Sequence, residues 1–371
     1  MSLKIDPWSA PKTLDYERLL KVFGIRPFKE LVPLFTEKGI PLSLHMRRGI
    51  IFGHRDLDRI INAYSRGEKV AVLTGFMPSG RFHFGHKMTA DQLIYYQRLG
   101  FKVFVALADA EAFAVRRLPR SEIIRIGIEE YVANLIALGL DAEKTVFYFQ
   151  TNRGTPYYRL IQLFSGKVTM SEMEAIYGDL TPGKVMAAFT QASDILHVEL
   201  PEYGGYKHVV VPVGADQDPH LRLARDLADR MKGVVDLLPP ASTYHTLIPG
   251  LDGAKMSSSR PDYTIFLTDP PDLARRKLMA ALTGGRPTAE EQRRLGGMPD
   301  KCVVFQLYRY HLVPDDETLR AIREECETGR ILCGPCKRRA ADMLVEFLRD
   351  HQEKLKSAVE VARRVVEPPS F

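Results

Sequence analysis

The sequence predicts an α/β fold: a parallel β-sheet covered by helices on both faces, with a short N-terminal extension before it and an all-helical part after it. Three observations carry this. Between residues 66 and 149, near-continuous apolar runs at 70–76, 102–108 and 145–149 alternate with helix-periodic stretches at 86–99 and 121–139. Strands that are apolar on both sides belong to parallel sheets buried on both faces. The turns that leave these runs carry glycines, acids and amides, as expected where ligands gather beyond the carboxyl ends of parallel strands. From residue 270 the strand pattern stops and helical periodicity takes over.

Size and charge are consistent with this. At 371 residues and 45% hydrophobic content the chain can bury a full core and, by length, hold two or three domains. The expected divisions are 1–65, 66–269 and 270–371. No apolar run approaches a bilayer span, and Met1 to Lys12 has neither the basic start nor the apolar core of a secretory leader. A cytoplasmic protein without membrane association is expected. The net charge of +6 favours an acidic partner such as nucleic acid. Asparagine occurs only at Asn62, Asn134 and Asn152 while arginine is plentiful, a depletion typical of thermophilic sources.

In chain order, the extension has two apolar patches, at 31–35 and 50–52, separated by Pro41, and is expected to be an appendage without a core of its own. Residues 70–73 read as a buried strand and 88–99 as a helix closed by Gly100. The turn between them, Thr74 to Lys87, carries Gly75, Pro78, Ser79, Gly80 and Gly85, with His83 and His86 three apart at the helix entrance. The unpaired first-turn amides of a helix stabilise phosphates, and glycines let them approach the backbone. Both imidazoles can face one ligand and donate hydrogen bonds to charge developing on phosphate oxygens. Taken alone, the same residues also suit a plain strand-to-helix turn whose glycines serve geometry and whose histidines cap or pack.

Asp109 and Glu111 follow the strand at 102–107, at its ligand end. Thr181-Pro182 opens a helix on which Gln191 and Asp194 lie one turn apart among Ala187, Ala188, Phe189, Ile195 and Leu196. An acid there is costly to bury unpaired, so the stripe is either solvated or faces a ligand. The strand at 208–213 ends in the corner 214–220, where Asp216 suits a ribose hydroxyl and Gln217 the polar end of an amino acid. A second small-residue loop, Gly253 to Ser259, offers one lysine and three hydroxyls.

Beyond residue 270, helices are expected at 272–282, 303–310, 315–325, 337–351 and 352–366. The clusters Arg275-Arg276-Lys277 and Lys337-Arg338-Arg339 fall near helix starts, where the dipole disfavours cations, so they suit either phosphate contacts or a solvated charged face. Cys302, Cys326, Cys333 and Cys336 leave three readings open: buried free thiols, a disulfide of the kind hyperthermophiles keep inside cells, or a zinc site.

His83-Phe84-Gly85-His86 resembles the HIGH motif, and Lys255-Met256-Ser257-Ser258-Ser259 the KMSKS motif, of class I aminoacyl-tRNA synthetases. Ser258 stands where that motif has its second lysine, so Lys255 is expected to carry most of the loop's charge. Residues 47–56, 214–228 and 263–269, with Gly296-Gly297 and Ser370-Phe371, are similar to tryptophanyl-tRNA synthetases, above all the archaeal and eukaryotic branch. The resemblance implies a Rossmann-like catalytic domain at 66–269 and an anticodon-binding domain at 270–371. It also implies a homodimer acting on ATP with Mg²⁺, L-tryptophan and tRNA(Trp). By the same resemblance His83, His86 and Lys255 are catalytic. Gly75, Pro78, Ser79, Gly80, Gly85, Asp216, Met256, Ser257, Ser258 and Ser259 join them in binding ATP, and Leu73, Phe76, Glu111, Gln191, Asp194 and Gln217 bind tryptophan.

One departure concerns the indole. Eukaryotic members contact its nitrogen with a tyrosine and a glutamine, and these positions are Leu73 and Ala106 here. Bacterial members have an aspartate in a helix segment that matches Ala192-Ser193-Asp194-Ile195-Leu196. Asp194 is therefore expected to be a buried acid in need of a donor and to accept the indole N–H, with Leu73 and Phe76 bounding the pocket. Tyrosyl-tRNA synthetases place an aspartate there too, which makes a tyrosine enzyme the alternative. A nucleotidyltransferase would lack the lysine-serine loop, and a non-catalytic RNA-binding paralogue would have lost both loops.

Overall fold

The computed structural model describes residues 16–116 and 118–370; Met1 to Lys12 and Phe371 lie outside the described residues. The chain forms two compact units. One comprises Met1–Gly80, Thr89–Thr246 and Ala358–Phe371, the other Arg81–Met88 and Leu247–Ser357.

The first unit is built on a seven-stranded sheet: β1 (Arg26–Pro27), β2 (Ile51–Arg55), β3 (Val70–Phe76), β4 (Lys102–Leu107), β5 (Thr145–Phe149), β6 (His208–Gly214) and β7 (Ala241–His245), in the spatial order β1-β2-β7-β6-β3-β4-β5. Strands β7 to β5 of that order run parallel, while β1 and β2 pair antiparallel at one edge. The parallel part matches the expectation, and its physical cause is visible in β3. Ala71 and Leu73 face a core shared with Phe104, Val209 and Val211, and Val72, on the opposite face, is equally buried. Strand β3 leads into α1 (Phe84–Arg98). The core on the Leu73 face is closed by α2 (Thr155–Ser165), α3 (Pro182–Leu196) and α4 (Asp218–Arg230), with Thr181 capping α3 through its hydroxyl.

The extension is not an appendage. Ile51 to Arg55 add to the sheet beside β7, as a strand that the local sequence pattern does not announce. Arg55 then lies 2.9 Å from the buried carboxylate of Asp218, which also accepts from Tyr244 at 2.7 Å. A strand's edge partner is chosen by hydrogen-bond vacancies elsewhere in the sheet, which a local pattern does not encode.

The second unit contains α5 (Pro271–Ala280), α6 (Ala289–Leu295), α7 (Asp316–Glu327) and most of α8 (Cys333–Val365). Two expectations change here. The break expected between His351 and Gln352 is absent, since α8 runs unbroken for 33 residues. No proline or glycine lies near that point, so nothing ends the backbone ladder there. The divisions expected at 65/66 and 269/270 also differ from the two units, because the second begins at Leu247 and takes in residues 81–88.

The four cysteines are free thiols in this unit. Burial, with the other three thiols nearby, pushes Cys326 up to about 11, and burial raises Cys336 as well. Thiols held protonated are poor nucleophiles, which suits Cys326 and Cys336 to packing. Replacing all four by serine is expected to lower the melting temperature but to leave activity at moderate temperature intact. Complete loss of activity there would contradict a purely structural role.

Candidate active site

The motif residues fall into two groups, one in each unit. In the second unit the two signature loops are knitted together. Leu267 N–H donates to the Phe82 carbonyl at 3.0 Å, and His83 faces Phe266 across an isolated antiparallel bridge. The Ser258 hydroxyl donates to the Arg81 carbonyl at 3.2 Å. The serine that stands in place of a lysine therefore ties the second loop to the first. Lys255 pairs with Pro249 across another bridge. Met256, expected among the ATP-binding residues, buries its side chain and donates its N–H to Ile248 at 3.0 Å, so that side chain anchors the loop. Ser257 and Ser259 hydroxyls lie 3.0 Å apart at the exposed tip.

The two imidazoles stack, with ring centroids 3.8 Å apart and planes inclined by 18°. Each accepts a backbone hydrogen bond at Nδ1: His86 from the His83 N–H at 3.2 Å, His83 from the Gly85 N–H at 3.0 Å. A ring nitrogen that accepts carries no proton, so in both neutral rings the proton sits on Nε2. Burial, then the Lys255 charge, pushes His83 down to about 3, and burial, His83 and Lys255 hold His86 well below its ordinary range. The pair is neutral at any working pH. Gly85 makes the arrangement possible, because a Cβ there would lie 2.7 Å from His83 Cε1.

Sequence reasoning missed the support beneath this pair. Arg81 lies over the Phe266 ring, 4.4 Å from its centroid, and 3.0 Å from the fully buried Asp269 carboxylate, whose other oxygen is 2.8 Å from Lys277. An acid can be buried this way only because two cations meet it.

The first unit holds the other group. Gly75 is the exposed residue at the end of β3; a Cβ there would meet Ala106 only at an ordinary 3.8 Å, so packing does not require glycine and the backbone is left open to a ligand. Pro78 is buried and Ser79 N–H donates to Met77 at 2.8 Å, a tight turn that ends at half-buried Gly80. Asp216 and Gln217 sit in the short helical turn after β6, Gln217 Nε2 being 3.3 Å from Asp216 Oδ2. Glu111, buried at the turn after β4, accepts from Gln191 Nε2 of α3 at 2.7 Å. Two residues 80 apart are thus brought together.

Asp194 departs from expectation. It is buried, but its donors come from the protein: Tyr148 Oη at 2.9 Å and Tyr157 Oη at 2.8 Å from Oδ1, and Gln150 Nε2 at 2.6 Å from Oδ2. Burial outweighs these bonds and pushes its carboxyl up to about 7. Sequence reasoning identified none of the three donors, although Gln150 follows β5 at the same strand end that marks Asp109 and Glu111. The pocket boundary changes too. Leu73 and Phe76 are an odd number of residues apart on β3 and point to opposite faces; Leu73 joins the core around α3, whereas Phe76 packs on Tyr131 with centroids 5.7 Å apart.

In the second unit, the basic clusters are largely committed internally. Arg275 pairs with Asp342 at 2.7 Å and Arg339 with Glu325 at 2.6 Å, and Lys337 donates to the Met279 carbonyl at 2.9 Å. The partners of these three residues come from other helices.

The family model for class I tRNA synthetases (W and Y) matches residues 65–349. The tryptophan–tRNA ligase of Aeropyrum pernix is 68% identical over 368 residues, covering 99% of each chain, and that of Hyperthermus butylicus is 62% identical over 370 residues, again 99% of each. The crystal structure of tryptophanyl-tRNA synthetase from Aeropyrum pernix K1 superposes with a TM-score of 0.94, covering 99% of this chain and 100% of that one at 68% identity. A tryptophanyl-tRNA synthetase from Encephalitozoon cuniculi bound to tryptophan superposes with a TM-score of 0.85 at 26% identity, covering 97% and 100%.

Proposed function

From the premise that this chain belongs to the class I tRNA synthetases of the tryptophan and tyrosine family, we infer that it is a tryptophan–tRNA ligase. It activates L-tryptophan with ATP to tryptophanyl-adenylate and pyrophosphate, then transfers tryptophan to the 3′ end of tRNA(Trp). The observation that decides for tryptophan over tyrosine is the 68% identity, across 99% of the chain, to a tryptophan–tRNA ligase.

Activation requires no protein nucleophile. A carboxylate oxygen of tryptophan attacks the α-phosphorus of ATP in line, the bond from that phosphorus to the bridging oxygen breaks, and pyrophosphate leaves. Catalysis is then positioning plus stabilisation of spreading negative charge. Neutral His83 and His86, protonated at Nε2, supply hydrogen bonds without having to lose a proton, and Lys255 supplies positive charge. The hydroxyls of Ser257 and Ser259 and the open backbone at Gly75 and Gly80 serve the phosphates, while Pro78, Ser79, Gly85 and Ser258 shape the turns that hold them. Glu111, Gln191 and Gln217 hold the amino acid's charged end, and Asp216 the ribose. In the second step a hydroxyl of the terminal ribose attacks the adenylate carbonyl and AMP departs.

Mg²⁺ enters as part of the MgATP substrate. The side chains of the two signature loops are hydroxyls, imidazoles and a lysine, with no carboxylate between Lys255 and Ser259 or between His83 and His86. Such a donor set suits an ion carried by phosphate oxygens and water. The helical region 270–371 is assigned to anticodon binding, and the protein to a cytoplasmic homodimer. Among the described residues no helix is long and apolar enough to cross a membrane. Exchange of labelled pyrophosphate into ATP, run with tryptophan and tyrosine in parallel, tests the reading: stimulation by tryptophan is expected, and stimulation by tyrosine alone would sink it.

A further inference from the structure

Gln150 is 2% exposed and held from both sides of its peptide: its N–H donates to the Leu107 carbonyl at 3.1 Å, and its own carbonyl accepts from Tyr158 Oη at 3.0 Å. Its side chain has one committed end. Nε2 donates to Asp194 Oδ2 at 2.6 Å, while Oε1 is buried with no hydrogen-bond partner among the described residues. Buried amide oxygens are rarely left without a donor, since this costs the full desolvation of the group. Tyr148 and Tyr157 fill Oδ1 of Asp194, so Oδ2 is left to the amide. While Asp194 is ionised, above about pH 7, it only accepts and fixes the NH₂ group toward itself and the carbonyl oxygen away.

Asp194 is itself well fixed. Tyr148 and Tyr157 both donate to its Oδ1, and its backbone carbonyl accepts from His197 Nδ1 at 2.8 Å, with Arg153 against the other nitrogen of that ring at 3.0 Å. The carboxylate already takes three donors, whereas the amide oxygen takes none. One turn back along α3, about 4.5 Å along the axis, Gln191 meets Glu111. That is the pair assigned above to the charged end of the amino acid. A substrate held there extends its side chain over a distance comparable with one helical turn.

We propose that Gln150 Oε1 accepts the ring N–H of tryptophan, and that Asp194 is the positioning residue that aims this oxygen. The proposal rests on the tryptophan reading of the site and names the atom that confers it. It reassigns the indole acceptor from the acid to the amide that the acid orients. The amide avoids leaving an unpaired charge when the site is empty.

The test uses tryptophan and its analogue with sulfur in place of the ring N–H, 3-(benzothiophen-3-yl)alanine, in pyrophosphate exchange with the full-length protein. The wild type is expected to prefer tryptophan by about ten- to a hundredfold in kcat/KM, as for a buried acceptor left unpaired. Gln150→Met keeps the length and removes the acceptor, so this preference should collapse to within about threefold. Asp194→Asn should raise KM for tryptophan more than for the analogue, a split that general loosening of the pocket would not produce. A wild-type enzyme that uses both substrates equally overturns the proposal without any variant, and so does a Gln150→Met protein that retains the wild-type preference. Absence of any tryptophan-dependent exchange in the wild type would be a failure of the tryptophan reading itself.

Discussion

Lys255→Ala lowers the rate of tryptophan-dependent pyrophosphate exchange by about two to three orders of magnitude, the range for losing one donor aimed at transition-state charge, and leaves the KM for tryptophan little changed. The expectation follows from the charges around the phosphate loops. Ser258 replaces a cation and is turned to the Arg81 carbonyl. Arg81 is held by Asp269 and Thr268, and Arg260 is paired with Asp252. His83 and His86 are kept neutral by burial and by Lys255 itself, so they contribute dipoles and not charge. Lys255 is the cation that the second loop itself carries, and it is proposed to answer the negative charge that accumulates as pyrophosphate departs. An interaction made mainly in the transition state appears in kcat; one made equally in the ground state appears in KM. Steady-state exchange at varied tryptophan and ATP separates the two. If KM for tryptophan rises while the rate stays near wild type, Lys255 is a binding residue and its catalytic assignment is wrong.

The second large effect is on stability. Gly296→Ala is expected to destabilise the second unit by roughly 4 kcal/mol or more, beyond the usual range for a point substitution, and to lower its melting temperature by roughly 10 °C or more. Gly296 ends α6 with φ +68° and ψ 171°, a combination essentially reserved for glycine and costing a side-chain-bearing residue about 1–3 kcal/mol. The strain is the smaller part. An added Cβ would sit 1.7 Å from the Glu327 carbonyl oxygen at the end of α7, where backbone and not a movable side chain blocks it. The next peptide locks the same contact, Gly297 N–H donating to Cys326 at 2.8 Å. Relief requires the ends of α6 and α7 to separate. Because this unit also contains residues 81–88 and Lys255, activity should be lost on heating along with its fold. A thermal melt of the variant within a few degrees of wild type would show that the α6–α7 junction yields easily and that the argument fails.

Much of this chain is legible in its residues alone. The four parallel strands β3 to β6 announce themselves because both faces are buried, which leaves runs with no polar alternation. The two signature loops are legible because a glycine-rich turn, two histidines and a lysine-serine run are contiguous in sequence. Glu111, Gln191 and Asp216 stand out by a positional rule: polar residues past the carboxyl ends of parallel strands, or on an otherwise apolar helix face, have few reasons to be there except a ligand. The same rule reaches Asp194 but not its circumstances, since its three donors lie 37 to 46 residues earlier, on β5, just after it and on α2.

Sequence by itself therefore determined the sheet's parallel core, the reaction class and the positions of the residues proposed to serve it, all of which depend on local periodicity, turn chemistry and contiguous motifs. Tertiary structure decided which partners complete those residues. It joined Ile51–Arg55 to β7 and separated Leu73 from Phe76 by the alternation of one strand. It neutralised Arg275 and Arg339 with acids from other helices, and it saturated the Asp194 carboxylate while leaving the Gln150 oxygen open. A hydrogen bond or ion pair acts over about 3 Å whatever the separation along the chain, and the pattern of one segment does not specify which distant segment will supply the other half.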